Sequence, residues 1–278
     1  MSSASPNITT ADQLKHLVYN HPLIDNHAHP LLKPEHAHSR PLESIVSEAH
    51  GDALKHSENS LAHFRAVKQL AGLLGCNPTW EEIKRARAER DQQEWCRTCF
   101  KGIQCVLLDD GLDRETAYQV KEHDTLTKDK NKRVVRIEAL AEDILREILR
   151  DENRSEDSSL MQAHWARRFE QDLLKEYCND GVVGFKSVIC YRGGLNIRSQ
   201  NEWNEQGFND FDTWVQQAKD GNYRLHHNFF NDVVVRLTCG VIADNGGEKP
   251  LQFHTGLGDN DINLIKANPA YVLPYDNY

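Results

Sequence analysis

The chain has 278 residues, of which 39% are hydrophobic, and this is enough to build a core in one large domain or two modest ones. Its formal net charge is -9 at pH 7, and its pI is near 5.9. Because nucleic acids and anionic membranes bind basic surfaces, this charge argues against both as partners and leaves small molecules or proteins.

The first residues and the cysteines indicate the cellular compartment. Residues 1–14 lack the basic and apolar regions of a signal peptide, and no run of 18 apolar residues occurs later, so we expect a soluble, cytoplasmic protein. The seven scattered cysteines are typical of reduced thiols rather than of a disulfide framework. Cys96 and Cys99 form a lone Cys-x-x-Cys within a helical pattern, and no second pair stands at zinc spacing.

Short apolar runs alternate with helical patterns, which is typical of an α/β fold. The predicted strands are Leu23 to His27, Gln104 to Leu108, Val134 to Glu138, Val182 to Ile189 and Leu251 to His254. The predicted helices are Leu42 to Leu54, Leu61 to Leu74, Trp80 to Phe100, Ser159 to Cys178 and Leu225 to Ala243. Strands joined through long helical connections must be parallel, so their carboxyl ends, where ligands bind, lie at one edge of the sheet.

Histidines stand at two of these carboxyl ends. In "PLIDNHAHPLL", His27 and His29 are two residues apart and project to the same side of the first strand, so one metal ion could bind both. The alternative is that they merely mark the turn where the strand ends. His254 follows the apolar run of the fifth strand, in the same relative position as His27, and favours the metal. We therefore predict that the three imidazoles converge within about 4 Å of a common point.

Lys186 lies inside the apolar run of the fourth strand. A buried ammonium without a partner costs several kcal/mol, so it must be neutralised, paired or modified. A metal-bridging carbamate is one solution, and an ion pair with Glu138 on the predicted neighbouring strand is the other. We expect the Lys186 side chain to point toward the two histidines of the first strand, because all three would line the same edge.

Three motifs together resemble a known family. "LIDNHAHP", "VVGFKSVICYRGGL" and "PLQFHTGLGDNDI" are similar to the first, fourth and fifth strand motifs of the amidohydrolase superfamily, in its amidohydrolase-related (amidohydrolase 2) branch. The likeness extends to the N-terminal half of fungal sporulation regulators that carry a glutamine-synthetase-like C-terminal half. It runs from about Gln13 to Ala270 and includes "CVLLDDGLD" and "RVVRIEALAE".

This resemblance implies a fold and a metal centre. The fold would be a partial TIM-type (β/α)8 barrel in a single domain of residues 1–278, with about the first five βα units and a helical insertion at about residues 40–100. The metal ligands would be His27, His29, Lys186 and His254, with zinc as the expected ion and manganese as the alternative, and Lys186 would also be the catalytic group. Arg192 would bind a substrate carboxylate, because guanidinium does so through two parallel bonds; the alternative is a surface arginine.

The sequence also departs from the family, whose sixth strand brings a histidine and whose eighth brings an aspartate that takes the proton from water. Neither this histidine nor this aspartate follows in the sequence given. Asp259 and Asp261 lie on the loop directly after the fifth strand, where an aspartate more often caps the following helix than binds a metal. We therefore expect a truncated, poorly active chain with an exposed sheet edge.

The implied function is hydrolysis of amide C–N bonds in a small molecule, γ-glutamyl amides among the substrates. The alternatives are a non-catalytic regulatory or scaffold protein and a metal-dependent decarboxylase. Assembly into a homo-oligomer is left open.

Overall fold

The structure is a computed structural model that describes residues 10–47, 49–198, 206–256 and 262–272. Its strands are β1 (Leu23–Ala28), β2 (Ile103–Asp109), β3 (Lys132–Arg136), β4 (Val182–Ser187) and β5 (Leu251–Phe253). They pair in chain order and in parallel, and they form a curled half-barrel. The predicted α/β class and the five parallel strands are confirmed.

Nine α-helices lie within the described ranges. They are α1 (Ala11–Asn20), α2 (Asp52–Ser57), α3 (Leu61–Leu74), α4 (Trp80–Ala88), α5 (Gln92–Cys99), α6 (Ile137–Arg150), α7 (Ser158–Tyr177), α8 (Gln206–Lys219) and α9 (Asn228–Asp244). None of the described helices is long and apolar enough to cross a membrane.

Two of the predicted helices are divided in the structure. The segment predicted from Leu42 to Leu54 contains a 3-10 turn, Leu42–Val46, and then the start of α2. The segment from Trp80 to Phe100 divides into α4 and α5, because the Asp91 carboxylate accepts a hydrogen bond from the Glu94 backbone N–H and begins a new helix there. Helix α3 has its predicted bounds.

The prediction of a strand through Glu138 is wrong. Strand β3 ends at Arg136, and Glu138 lies in the first turn of α6. The reason lies in the residues that follow, because Ile137, Ala141, Ile144, Leu145 and Ile148 recur at helical spacing and bury one face of α6. The fourth strand likewise ends at Ser187, and Ile189 begins a 3-10 turn.

The main core lies between the sheet and helices α6 to α9. Strand residues such as Val135 and Phe185 pack there against an aromatic cluster formed by Trp165, Phe169, Phe211, Trp214 and Phe230. Trp165 is fully buried, stacks on Phe169 with ring centroids 5.5 Å apart, and donates its indole N–H to the Ala141 carbonyl at 3.1 Å. Lys186 follows Phe185 on β4 and therefore points to the opposite side of the sheet.

The helical insertion has its own smaller core. Ala71, Leu74 and Ile83 are buried there and are packed with half-buried side chains that include Trp80 and Trp95. This cluster is separate from the main core.

Strands β1 and β5 are the edges of the described sheet. Leu23 and Ile24 of β1 are 55% and 60% exposed, and Leu14, Val18 and Tyr19 of α1 are also exposed. Apolar side chains are therefore exposed along β1 and α1 in the described part of the chain.

We expect Trp165→Ala to lower the free energy of unfolding by about 3–5 kcal/mol, because the substitution leaves a large cavity inside the aromatic cluster. Leu160→Ala is the matched control, since Leu160 lies on the same helix but is largely exposed, and it should change stability by less than about 0.5 kcal/mol. Urea unfolding measures both, and equal losses would contradict the central place of Trp165.

Candidate metal centre

His27 and His29 lie side by side at the carboxyl end of β1, both exposed, with ring centroids 5.9 Å apart. His29 Nδ1 lies 2.9 Å from the backbone carbonyl oxygen of Asp109. A carbonyl can only accept, so Nδ1 carries the proton and Nε2 keeps its lone pair for a metal. The structure therefore brings the first two predicted ligands together and orients one of them.

Asp109 is a site residue that the sequence analysis missed. Its carboxylate is buried at the end of β2 and accepts hydrogen bonds from Arg136 Nε at 3.2 Å and Arg136 Nη2 at 2.6 Å. Gly111 allows this contact, since a Cβ there would lie 2.5 Å from Arg136 Cδ. The signal was available in "LLDD", because a carboxylate that ends an apolar strand occupies the same position as His27 on β1.

The loop that follows His29 is held by a second residue that the sequence analysis missed. His123 is buried, and its Nε2 accepts a hydrogen bond from the Leu31 backbone N–H at 3.0 Å. Its Nδ1 donates to the Gln119 carbonyl at 3.0 Å, which fixes the tautomer. His123 therefore positions the chain just after the histidine pair.

Lys186 is only 6% exposed and lies directly opposite Arg136 in the pairing of β3 with β4. Opposed residues of neighbouring strands point to the same side of a sheet. Lys186 therefore lies on the Asp109–Arg136 side and not in the helix layer.

Burial lowers the pKa of Lys186, and the Asp109 charge opposes this shift. Partial burial, and then the charges of Lys186 and His29, lower the pKa of His27, so the lysine and the histidines share one electrostatic environment.

The ion pair between Lys186 and Glu138 is not found among the described residues. Glu138 is fully buried, and its Oε1 accepts hydrogen bonds from Ser187 Oγ at 2.6 Å and the Val188 backbone N–H at 2.9 Å. Burial raises the pKa of Glu138, although the Arg192 charge opposes the shift. The carboxyl group therefore fixes the carboxyl end of β4 from the first turn of α6.

Arg192 is not the surface arginine of the alternative interpretation, because its side chain is only 8% exposed. Its Nη1 forms an ion pair with Glu142 and also donates to the Leu225 carbonyl at 2.9 Å. One arm of the guanidinium is thus engaged within the protein. Binding of a substrate carboxylate by Arg192 stays a prediction.

His254 lies directly after β5, at the opposite edge of the described sheet from β1. Its Nε2 is 2.7 Å from the Tyr191 hydroxyl, and its backbone N–H donates to the Ser187 carbonyl at 3.0 Å. Among the described residues, no three His, Cys, Asp or Glu side chains form a ready-made metal site. The role of His254 as a ligand shared with His27 and His29 stays a prediction, and Asp259 and Asp261 lie outside the described residues.

Comparison with solved structures supports this architecture. The crystal structure of a "putative metal-dependent hydrolase" from Lactobacillus casei ATCC 334 superposes with a TM-score of 0.68 and 24% sequence identity. The match covers 94% of this chain and 65% of that one. It shows that the two chains share an α/β fold.

Comparison of sequences finds a curated relative. Protein fluG from Emericella nidulans (strain FGSC A4) is 39% identical over 282 residues, which cover 95% of this chain and 33% of that protein. The chain thus spans about a third of that relative's length. No protein-family model matches the chain.

We expect Arg136→Met to lower the free energy of unfolding by about 3–5 kcal/mol, because Asp109 would keep a buried charge without its counter-ion. Arg40→Met is the matched control: Arg40 pairs with Asp113 at the surface, and its loss should cost at most about 1 kcal/mol. Adding Asp109→Leu to Arg136→Met should restore much of the stability. Chemical unfolding of the three variants tests this, and equal losses from Arg136→Met and Arg40→Met would refute the role of the pair.

Proposed function

We propose that this chain is a cytoplasmic metal-dependent hydrolase of the amidohydrolase type, built on a (β/α)8-type barrel and acting on amide C–N bonds of a small molecule. The observation that carries the proposal is the histidine pair at the end of β1, with His29 oriented by the Asp109 carbonyl. A histidine whose other ring nitrogen donates to a backbone carbonyl is the usual form of a metal ligand.

The donor set fits a divalent metal, with zinc expected and manganese the alternative. His27 and His29 would bind the ion as neutral imidazoles. A bound divalent metal would polarise the substrate carbonyl and lower the pKa of a water to about 7. His254 would join the set, with the Tyr191 hydroxyl at 2.7 Å to orient its ring.

Lys186 would complete the centre as a carbamate. Its burial on the Asp109–Arg136 side, without an ion pair to Glu138 among the described residues, leaves the amine available for modification. The Lys186 ammonium would first lose one proton, and the neutral amine would then form a C–N bond to CO₂ and release a second proton, so that a buried cation becomes an anionic ligand. This change removes the cost of burying an ammonium next to the guanidinium of Arg136.

Arg192 would bind a carboxylate of the substrate, which favours γ-glutamyl amides among the amide substrates. Its Nη1 is held by Glu142 and Leu225, so the guanidinium is fixed in position before a substrate arrives. A rigid clamp of this kind reduces the entropy lost on binding.

A second candidate function is that of a non-catalytic regulatory or scaffold protein. It is favoured by the absence, among the described residues, of a ready-made group of three metal-binding side chains. A metal-dependent decarboxylase would use the same donor set.

Metal binding is the first test. We expect His27→Ala and His29→Ala each to weaken zinc binding at least about tenfold, because each removes one imidazole from the pair. His38→Ala is the control, since His38 is an exposed histidine of the loop that follows β1. Equilibrium dialysis with metal analysis measures the affinity, and an equal loss in His38→Ala would indicate nonspecific surface binding and refute the site.

Turnover separates the two candidate functions. We expect the zinc- or manganese-loaded chain to hydrolyse γ-glutamyl-p-nitroanilide, because a bound divalent metal would polarise the amide carbonyl and lower the pKa of a water to about 7. His29→Ala should abolish this hydrolysis and His38→Ala should leave it unchanged. A chain that binds zinc through His27 and His29 but shows no metal-dependent release of nitroaniline would be a scaffold and not a hydrolase.

A further inference from the structure

A cavity of about 300 Å³ lies beside the carboxyl ends of β4 and β5. Its walls are the loop after β4, the first turn of α9 and the segment that follows β5, represented by Gly193, Asn231 and Lys266. A Cβ on Gly193 would lie 2.2 Å from Asn228 Oδ1, so the loop and the helix already approach as closely as they can. None of the predicted metal ligands lines this cavity.

Asn231 is the unusual residue in the cavity wall. It is 1% exposed, yet neither its Oδ1 nor its Nδ2 has a hydrogen-bond partner among the described residues. Neighbouring Phe230, Val234 and Val235 are buried apolar residues of the main core. A buried amide that makes no hydrogen bond opposes folding, so its presence in this wall calls for a partner that enters from the cavity.

The charge around the cavity favours an anion. The Asp232 carboxylate accepts a hydrogen bond from Arg198 Nε at 2.7 Å, whereas Arg198 Nη2 is buried without a partner among the described residues. Lys266 adds a second cation at the rim. Helix α9 also begins here, and the side chain of its N-cap residue, His227, makes no capping hydrogen bond. The positive charge of two cations and a helix N-terminus exceeds the negative charge of the single carboxylate, so the cavity favours an anion.

We propose that this cavity binds a small molecule that carries a primary amide at one end and a carboxylate at the other. The ligand amide would donate to Asn231 Oδ1 and accept from Asn231 Nδ2, because an amide offers both groups on one edge. The carboxylate would lie against Arg198 Nη2 and Lys266.

The test measures binding of three simple probes to the full chain by isothermal titration calorimetry. Succinamate carries both groups, succinate has only carboxylates, and butyramide has only the amide. We expect succinamate to bind saturably with a Kd on the order of 1 mM, and the other two at least about tenfold more weakly. Failure of succinamate to bind saturably, or equal binding of all three probes, would overturn the proposal.

Two variants and a control assign the contacts. Asn231→Leu should weaken the binding of succinamate at least about tenfold. Lys266→Gln should also weaken the binding of succinamate, but it should leave the weak binding of butyramide unchanged. Asn153→Leu is the control, because Asn153 lies in the exposed turn after α6. Unchanged succinamate affinity in Asn231→Leu would overturn the proposal.

Thermal unfolding of the protein without ligand distinguishes a ligand-binding Asn231 from an asparagine that only supports the fold. Replacing a buried amide that has no partner by an apolar side chain of similar shape removes a desolvation penalty. Asn231→Leu should therefore raise the Tm of the unliganded protein by about 2–4 °C while it loses succinamate binding. A fall in Tm would show that Asn231 supports the fold and would refute its role as a ligand-binding residue.

Discussion

Asp109 connects the parts of the structure on which the candidate metal centre depends. Its carboxylate neutralises the buried Arg136 guanidinium between β2 and β3, and its backbone carbonyl fixes the tautomer of His29 after β1. Lys186 lies opposite Arg136 on β4, where the Asp109 charge also acts on it. Asp109 on β2 thus offsets the positive charges of Arg136 on β3 and Lys186 on β4, and it also sets the orientation of the His29 ring. The polar side of the half-barrel is held together at this point.

Features that depend on local sequence could be predicted. Each strand contains a short apolar segment that the sequence reveals. Alternate residues of a strand point to the same side, which places His27 and His29 together without knowledge of the rest of the fold. The capped start of α3 at Ser60 and its end at Gly75, where φ is 69°, are also local, and its bounds were predicted correctly. The parallel direction of the strands could also be predicted, because long helical segments connect one strand to the next.

Features that depend on contacts between distant segments could not be predicted. Glu138 looked like a strand residue because an apolar run precedes it, but the buried face of α6 determines its conformation. The burial of Arg192 could not be predicted from the residues around it, because its charge is paired with Glu142, fifty residues earlier. The position of Asn231 in the wall of the cavity likewise depends on how α9 packs against the loop after β4. Pairings of this kind have no periodicity within the sequence.

The division into two hydrophobic clusters has a consequence for how the chain opens in solution. The insertion of α2 to α5 is stabilised by a small cluster around Leu74 and Ile83 that is separate from the cluster around Trp165. Subglobal unfolding follows such divisions, because a unit with little buried apolar surface opens at a lower free energy than the rest. The backbone amides of α3 and α4 will therefore exchange with solvent deuterium before those of α7 and α9. The insertion of α2 to α5 thus opens before the main core.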